Sequence, residues 1–247
     1  MFDFLIAATA VTLSSAPLSQ VIAQVKFSAQ TVFNSQQGAA LFHDLVSDSY
    51  PRLLSEQQQT VIAGPGGLTS TSSPQWRLTD LDAAWACVVS AEQVSLETTA
   101  YSDWSEMSRR LDEILRALEN VTKVRVCERV GLRYVNHISP DEVGSYEGRI
   151  EEDLLGPAVR PGWQDALTAT LAQSVLQDGN TRLIVRSGTG EGIVDRPGVY
   201  VVDIDCFKEA PASYDRQTLM ATFADFNDAI YRCFCSCVPE SFRATLK

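Results

Sequence analysis

At Val124–Ile138 the chain reads VRVCERVGLRYVNHI, a run in which apolar and polar side chains alternate. Alternation with a period of two is typical of a β-strand that buries one face. The predicted buried face carries Val124, Val126, Val130, Leu132, Tyr134 and Ile138. The opposite face carries Arg125, Arg129, Arg133 and His137, with Cys127, Gly131 and Val135 between them. The stretch therefore predicts a long central strand with a basic outer face.

Two amphipathic helices are predicted next to strands of this kind. The first begins with a capping-box-like pair, Asp103 and Glu106, and its apolar stripe continues to Leu118. The second begins near Asp215 and is ended or kinked by Pro239. Because shorter alternating segments precede each helix, the predicted fold class is α+β, with an antiparallel sheet and the helices packed on one face.

Several shorter patterns predict the remaining elements. Leu18–Ser28 alternates like a half-buried strand, and Asp178-Gly179 separates two apolar segments as a short hairpin turn does. The Gly/Ser/Thr/Pro-rich stretch Gly64–Pro74 and the Gly-rich stretch Ser187–Gly198 are predicted to be loops.

The chain divides into two halves with a similar order of elements. Residues 1–16 are assigned to an N-terminal extension, 17–122 to a first α+β half and 123–247 to a second, together forming one globular unit. Each half is predicted as strand, helix, meander and helix, which indicates an internal duplication. The alternative is coincidence between two ordinary α+β stretches.

Charge and cysteine content bound the class of protein. The chain has 247 residues and a formal net charge of -11, which disfavours nucleic acid and anionic membrane as partners unless a local basic patch overrides it. Its six cysteines are predicted to be reduced thiols of a cytoplasmic protein. The apolar run near the N-terminus lacks a basic residue before it and is too short to span a membrane.

Four segments resemble, in order, the motifs of one bacterial family. The segments are Pro17–Phe27 for its opening strand, Tyr101–Trp104 for its Y-x-x-W helix start, Glu128–Asn136 for its R-x-G-L-R-Y-x-N signature and Val202–Phe207 for its L-D-I-D-x-F strand. The family is sporadically distributed, and its members are uncharacterised proteins of similar length. The resemblance covers nearly the whole chain. It implies mobile or defence-type gene neighbourhoods and no particular reaction.

The basic face of the central strand is the candidate binding surface. Arginine presents a planar fork of donors that suits phosphate and carboxylate, and Gly131 leaves room for a ligand to approach. The candidate binding residues are Arg125, Arg129, Arg133, Tyr134, Asn136, His137, Asp203 and Asp205. The favoured alternative is that Arg129 and Arg133 pair with Asp203, Asp205 or Glu97 across the sheet as an internal network.

No catalytic residue, metal ligand or cofactor is assigned from the sequence. His43 and His137 are the two histidines, and His137 is too far along its strand from Cys127 for a nucleophile–base pair. Cys233, Cys235 and Cys237 lie on a predicted helix, where alternate residues point in different directions and cannot share one metal ion.

These observations favour a non-enzymatic binding or regulatory component, such as an antitoxin-like or defence-associated partner of a neighbouring gene product. One alternative is a sensor of an anionic small molecule or nucleotide, held by Arg129, Arg133 and Tyr134. A second alternative is nucleic-acid binding through the same basic face, which the net charge makes the weaker hypothesis.

Overall fold

Ten strands and five helices make up the part of the chain that the structure, a computed structural model, describes. That part comprises residues 1–9, 11, 13–64, 67–141, 145–163, 166–190, 192–193 and 198–247, without the side chains of 60–64 and 67–71. The strands are β1 (Leu18–Phe27), β2 (Arg52–Gly64), β3 (Gly67–Thr79), β4 (Trp85–Ser90), β5 (Gln93–Thr98), β6 (Val126–Ile138), β7 (Ala169–Asp178), β8 (Thr181–Gly190), β9 (Tyr200–Lys208) and β10 (Ala212–Ser213). The helices are α1 (Gln36–Val46), α2 (Trp104–Val121), α3 (Glu152–Leu155), α4 (Arg216–Cys237) and α5 (Glu240–Ala244).

The strands form one open antiparallel sheet, which confirms the predicted α+β class. Its order is β2-β3-β4-β5-β1-β6-β9-β8-β7, and the short β10 pairs with β6 to one side of this path. The first strands of the two halves, β1 and β6, are neighbours at the centre. From β1 the meander β5-β4-β3-β2 extends one way, and from β6 the meander β9-β8-β7 extends the other way. A duplication would give this symmetrical order, and the duplication stays a prediction.

The long helices pack against one face of the sheet. Alternate residues of β1, β6 and β9 enter a core beneath α2 and α4, for example Ala23, Leu132 and Ile204, which are inaccessible to solvent. The apolar stripe of α2, including Leu111 and Ile114, is buried in the same core. Each fully buried leucine or isoleucine side chain in this core stabilises the fold by about 1.5–3 kcal/mol relative to exposure.

Both long helices begin where the sequence predicts. The Asp103 carboxylate accepts from the backbone N–H of Glu106 at 2.9 Å, and the Asp215 carboxylate accepts from that of Thr218 at 2.8 Å. These bonds satisfy backbone donors that the first turn of a helix leaves free. The start of α2 that Asp103 and Glu106 predict is therefore correct.

The first predicted loop is largely strand, and the second is strand only at its start. Residues 67–74 continue β3, which pairs with β2 along its length, and residues 187–190 continue β8; residues 65–66, 191 and 194–197 lie outside the described residues. Gly188 has a packing role, because a Cβ there would lie 2.0 Å from the carbonyl oxygen of Thr170 on the neighbouring strand. The hairpin turn is Gly179-Asn180, one residue later than predicted, since Asp178 still pairs with Thr181.

A β-bulge interrupts the alternation of the central strand. Lys26 of β1 lies opposite Arg129 and Phe27 lies opposite Cys127, so Glu128 is an extra residue on β6. An extra residue switches which face the following side chains occupy. The expectation that Cys127 lies between the arginines is therefore wrong, because Cys127 is buried in the core beneath the helices.

The N-terminal segment packs onto α4. Phe2 is fully buried in the core, and its backbone N–H donates to a carboxylate oxygen of Asp178 at 2.7 Å. The guanidinium of Arg232 on α4 donates to four backbone carbonyl oxygens, those of Met1, Phe2, Leu5 and Ile6, at 3.0–3.1 Å. The segment assigned as an extension is thus anchored by a buried ring and by one arginine.

Three further observations concern the state of the thiols, the length of the helices and possible metal ligands. All six cysteines are free thiols, and each is buried. Within the described part of the chain, no helix is both long enough and apolar enough to span a bilayer. Among the same residues, no group of three or more His, Cys, Asp and Glu side chains is placed to hold a metal ion.

Candidate functional site

The candidate site lies on the face of the sheet opposite the helices, where β6, β9 and β8 are adjacent. Cα pairing places Arg133 opposite Asp205 and Val135 opposite Asp203, while Arg186 of β8 lies opposite Asp203. Arg133 reaches diagonally to Asp203 rather than to the residue directly opposite. Neighbouring strands thus bring three arginines and two aspartates into one group, the arginine cluster, which consists of Arg129, Arg133, Arg186, Asp203 and Asp205.

Asp203 is the centre of this cluster. Its carboxylate accepts from Nε and Nη2 of Arg133 at 2.7 and 2.9 Å, and from Nη1 of Arg186 at 3.2 Å. The Asp203 side chain is 6% exposed, whereas those of Arg133 and Arg186 are 42% and 31% exposed. The two-bond geometry with Arg133 is the strong form of an arginine–carboxylate pair. A buried carboxylate therefore holds two arginines that keep contact with solvent.

Arg129 is more buried than the other two arginines, with 17% of its side chain exposed. It lies 3.5 Å from the Asp205 carboxylate, donates to Gln24 at 3.0 Å and stacks over the ring of Phe207 at 4.6 Å. Its guanidinium also occupies the space above Gly131, where a Cβ would lie 2.6 Å from Nη1. The expectation that Gly131 leaves room for a ligand is therefore wrong, since Arg129 fills that space.

The electrostatics of the cluster follow from burial and from the ratio of charges. Burial raises the pKa of Asp205, and the nearby Arg129 and Arg133 oppose that rise. The hydrogen bonds to Asp203 raise the pKa of Arg133, which stays charged. Three arginines share two carboxylates, so the cluster has one surplus positive charge when both aspartates are ionised. Lys26, opposite Arg129 on β1 and exposed, adds another.

A cavity of about 290 Å³ lies beside the surplus charge. Its polar lining is Arg133, His137, Arg186 and Asp203, and Leu171 is one of its apolar residues. The cavity therefore presents two guanidinium groups that share one carboxylate, an arrangement that suits an anion or an acidic side chain.

Three of the predicted residues lie neither in the arginine cluster nor at its cavity. Tyr134 and Asn136 point to the helix side: the Tyr134 hydroxyl donates to Oδ1 of Asn227 at 2.7 Å, and Asn136 donates to the carbonyl of Val202 at 3.0 Å. Arg125 precedes β6 and lies on the other side of the bulge from Arg129. The hypothesis of a single site made by Arg129, Arg133 and Tyr134 is thus wrong, because successive residues of a strand point to opposite faces.

The same face includes charged residues outside the predicted set. Arg186 was not among the predicted residues, although Arg182 and Arg186 lie on the face opposite the apolar Leu183 and Val185, as in a strand with basic residues on its outer face. Glu97, considered as a partner of the central arginines, pairs instead with Arg77 at 3.1 Å. Which acid meets which arginine depends on strand order, and no local pattern carries that information.

Comparison with known proteins assigns no family to the chain: no family model matches it, and no curated protein matches it. The candidate site therefore rests on its own geometry. Chemically, that geometry offers fixed donors, a surplus of positive charge and an adjoining cavity on the face opposite the described helices.

Proposed function

We propose that the chain is a non-enzymatic binding or regulatory protein of the cytoplasm, and that its open sheet face contacts a partner protein encoded by a neighbouring gene. The observation that carries the proposal is the surplus positive charge at the centre of this face in a chain of net charge -11. Six buried free thiols support the compartment. Membership of the sporadically distributed family that the motifs resemble, with its defence-type context, belongs to the same proposal.

The arginine cluster supports a partner surface rich in carboxylates. Arg133 and Arg186 are held in place by Asp203, so little side-chain freedom would be lost when a partner binds them. Lys26 and Arg182 flank the cluster and are exposed. Charged groups at the rim of an interface chiefly raise the association rate and its salt dependence. An acidic partner surface would therefore be recognised by charge and by direct bonds to the arginines.

The test is native mass spectrometry of the chain, purified gently from cells that also express its neighbouring genes. We expect a second protein at fixed stoichiometry. Lys26→Glu reverses an exposed charge on the open face and should release that protein, with binding at least about tenfold weaker. Arg109→Glu reverses a charge on α2, on the other side of the sheet and 62% exposed, and should leave the complex intact.

Other results would contradict the proposal. If no protein is retained, or if the complex survives Lys26→Glu and fails with Arg109→Glu, the open face is not the contact surface. If raising the salt concentration strengthens the complex, the partner surface is not acidic.

A second candidate function is favoured by the 290 Å³ cavity, which could hold an anionic small molecule or nucleotide on the two guanidinium groups. ATP and inorganic phosphate are suitable probes for titration calorimetry. Binding should be lost in Arg133→Ala and in Arg186→Ala and be kept in Arg109→Ala. Binding of either probe that is equal in all three variants would exclude this site.

A further inference from the structure

A second cavity lies on the helix side of the sheet, away from the arginine cluster. Its volume is about 350 Å³, within the range of small-molecule pockets. Its apolar walls come from three parts of the chain: Trp104 at the start of α2, Ile230 and Phe234 of α4, and Leu13 and Pro17 before β1. The cavity is therefore enclosed by the N-terminal segment and the two long helices.

A hydrogen-bonded group lines the cavity. The Tyr134 hydroxyl donates to Oδ1 of Asn227 at 2.7 Å and lies 3.2 Å from the hydroxyl of Tyr101. Burial raises the pKa of Tyr134 well above its ordinary value, so this hydroxyl stays protonated.

The charge of the lining disfavours anions. Asp103 lies at the cavity, and its full negative charge exceeds the roughly half positive charge of a helix N-terminus. No arginine or lysine is among the described residues that line it. The lining also includes Tyr101, Trp104 and Tyr231, whose ring faces attract cations.

We infer that this cavity binds a small apolar molecule that carries an amine, and that it excludes anions of the same size. The aromatic and aliphatic walls take up the apolar body, and the ammonium group lies toward Asp103. This site is separate from the open face in position and opposite to it in charge preference. Its occupancy is independent of a partner on the arginine cluster, because the sheet lies between them.

Three probes of nearly equal size test the inference: phenethylamine, phenethyl alcohol and phenylacetate, each titrated by ligand-detected NMR into the full chain. We expect phenethylamine to bind most tightly, phenethyl alcohol more weakly, and phenylacetate at least about tenfold more weakly than the amine. Ala16→Trp places an indole in the cavity and should abolish binding of the amine. Leu171→Trp adds the same indole at the other cavity, on the open face, and should leave binding unchanged.

A second variant decides the matter if Ala16→Trp does not fold. Asp103→Asn keeps a side chain that caps helices well and removes the charge, so phenethylamine and phenethyl alcohol should then bind about equally. The inference is overturned if the wild type binds phenylacetate as tightly as the amine, or binds no amine at millimolar concentration. Unchanged amine binding in Asp103→Asn, or in a folded Ala16→Trp, overturns it equally.

Discussion

Replacing Asp203 by asparagine should lower the free energy of unfolding more than the same substitution at an exposed aspartate. The substitution keeps the shape of the side chain and removes the negative charge that holds Arg133 and Arg186. Three charge-assisted hydrogen bonds are affected, and a hydrogen bond to a charged group contributes about 1.5–3 kcal/mol. The three values do not add, because both arginines are partly exposed and regain water. We therefore expect a loss of about 2–3 kcal/mol in the free energy of unfolding.

The assay is urea unfolding followed by circular dichroism, with a thermal scan beside it. For a chain of this size the expected loss lowers Tm by roughly 5–10 °C. Asp82→Asn is the matched control, since Asp82 is exposed, and it should change the free energy of unfolding by less than about 0.5 kcal/mol. If Asp203→Asn matches that control, the ion pairs do not stabilise the fold, and the view of Asp203 as the structural centre of the cluster is refuted.

Three further predictions concern single residues elsewhere. The raised pKa of Asp205 means that the folded state binds a proton more readily than the unfolded state, so the stability that Asp205 contributes falls as pH rises above the ordinary carboxyl pKa. In urea unfolding from pH 4 to pH 7, Asp205→Asn should therefore gain stability relative to the wild type. A difference that stays constant with pH would contradict this. Gly131→Ala displaces the flexible end of Arg129 and should cost about 1 kcal/mol, whereas Gly188→Ala meets backbone and should cost about 2–3 kcal/mol in the same assay; the reverse order would be contrary evidence. Arg232→Met should speed hydrogen exchange of residues 1–9 at least tenfold and leave β6 protected, as mass spectrometry would detect; equal exchange in both proteins would show that the arginine does not anchor the segment.

The parts of the fold that bury a regular apolar face could be predicted from the sequence. The stripe of α2 from Met107 to Leu118 repeats at helical spacing because every third or fourth residue meets the core, and the acidic cap at Asp103 marks its start. In the same way, β6 shows its buried face from Val130 to Ile138. Where one face of an element is regularly buried, residue composition and spacing were enough to predict that element.

The predictions that failed concern features without that regularity. The chain around Gly67 forms a strand because its backbone pairs with β2. Its small polar residues are as typical of a loop as of a strand, so they did not predict this pairing. The bulge at Glu128 is one residue that no local pattern marks, yet it moves Cys127 to the core side. The expected pairing of Arg129 and Arg133 with Asp203 and Asp205 does form. Which acid meets which arginine depends on β9 lying next to β6, and that is a long-range fact.

The contact between Phe2 and α4 has a consequence for the time course of synthesis. Arg232, which holds the carbonyl of Phe2, is translated 230 residues after it. At the usual rate of about 5–20 residues per second, the N-terminal segment waits roughly 10–50 seconds before its docking site emerges from the ribosome. During that interval the Phe2 ring lacks its docking site, and the wall that Ile230 and Phe234 of α4 contribute to the helix-side cavity is not yet made. The cavity is therefore among the last features of the molecule to be completed, after both halves of the sheet have met.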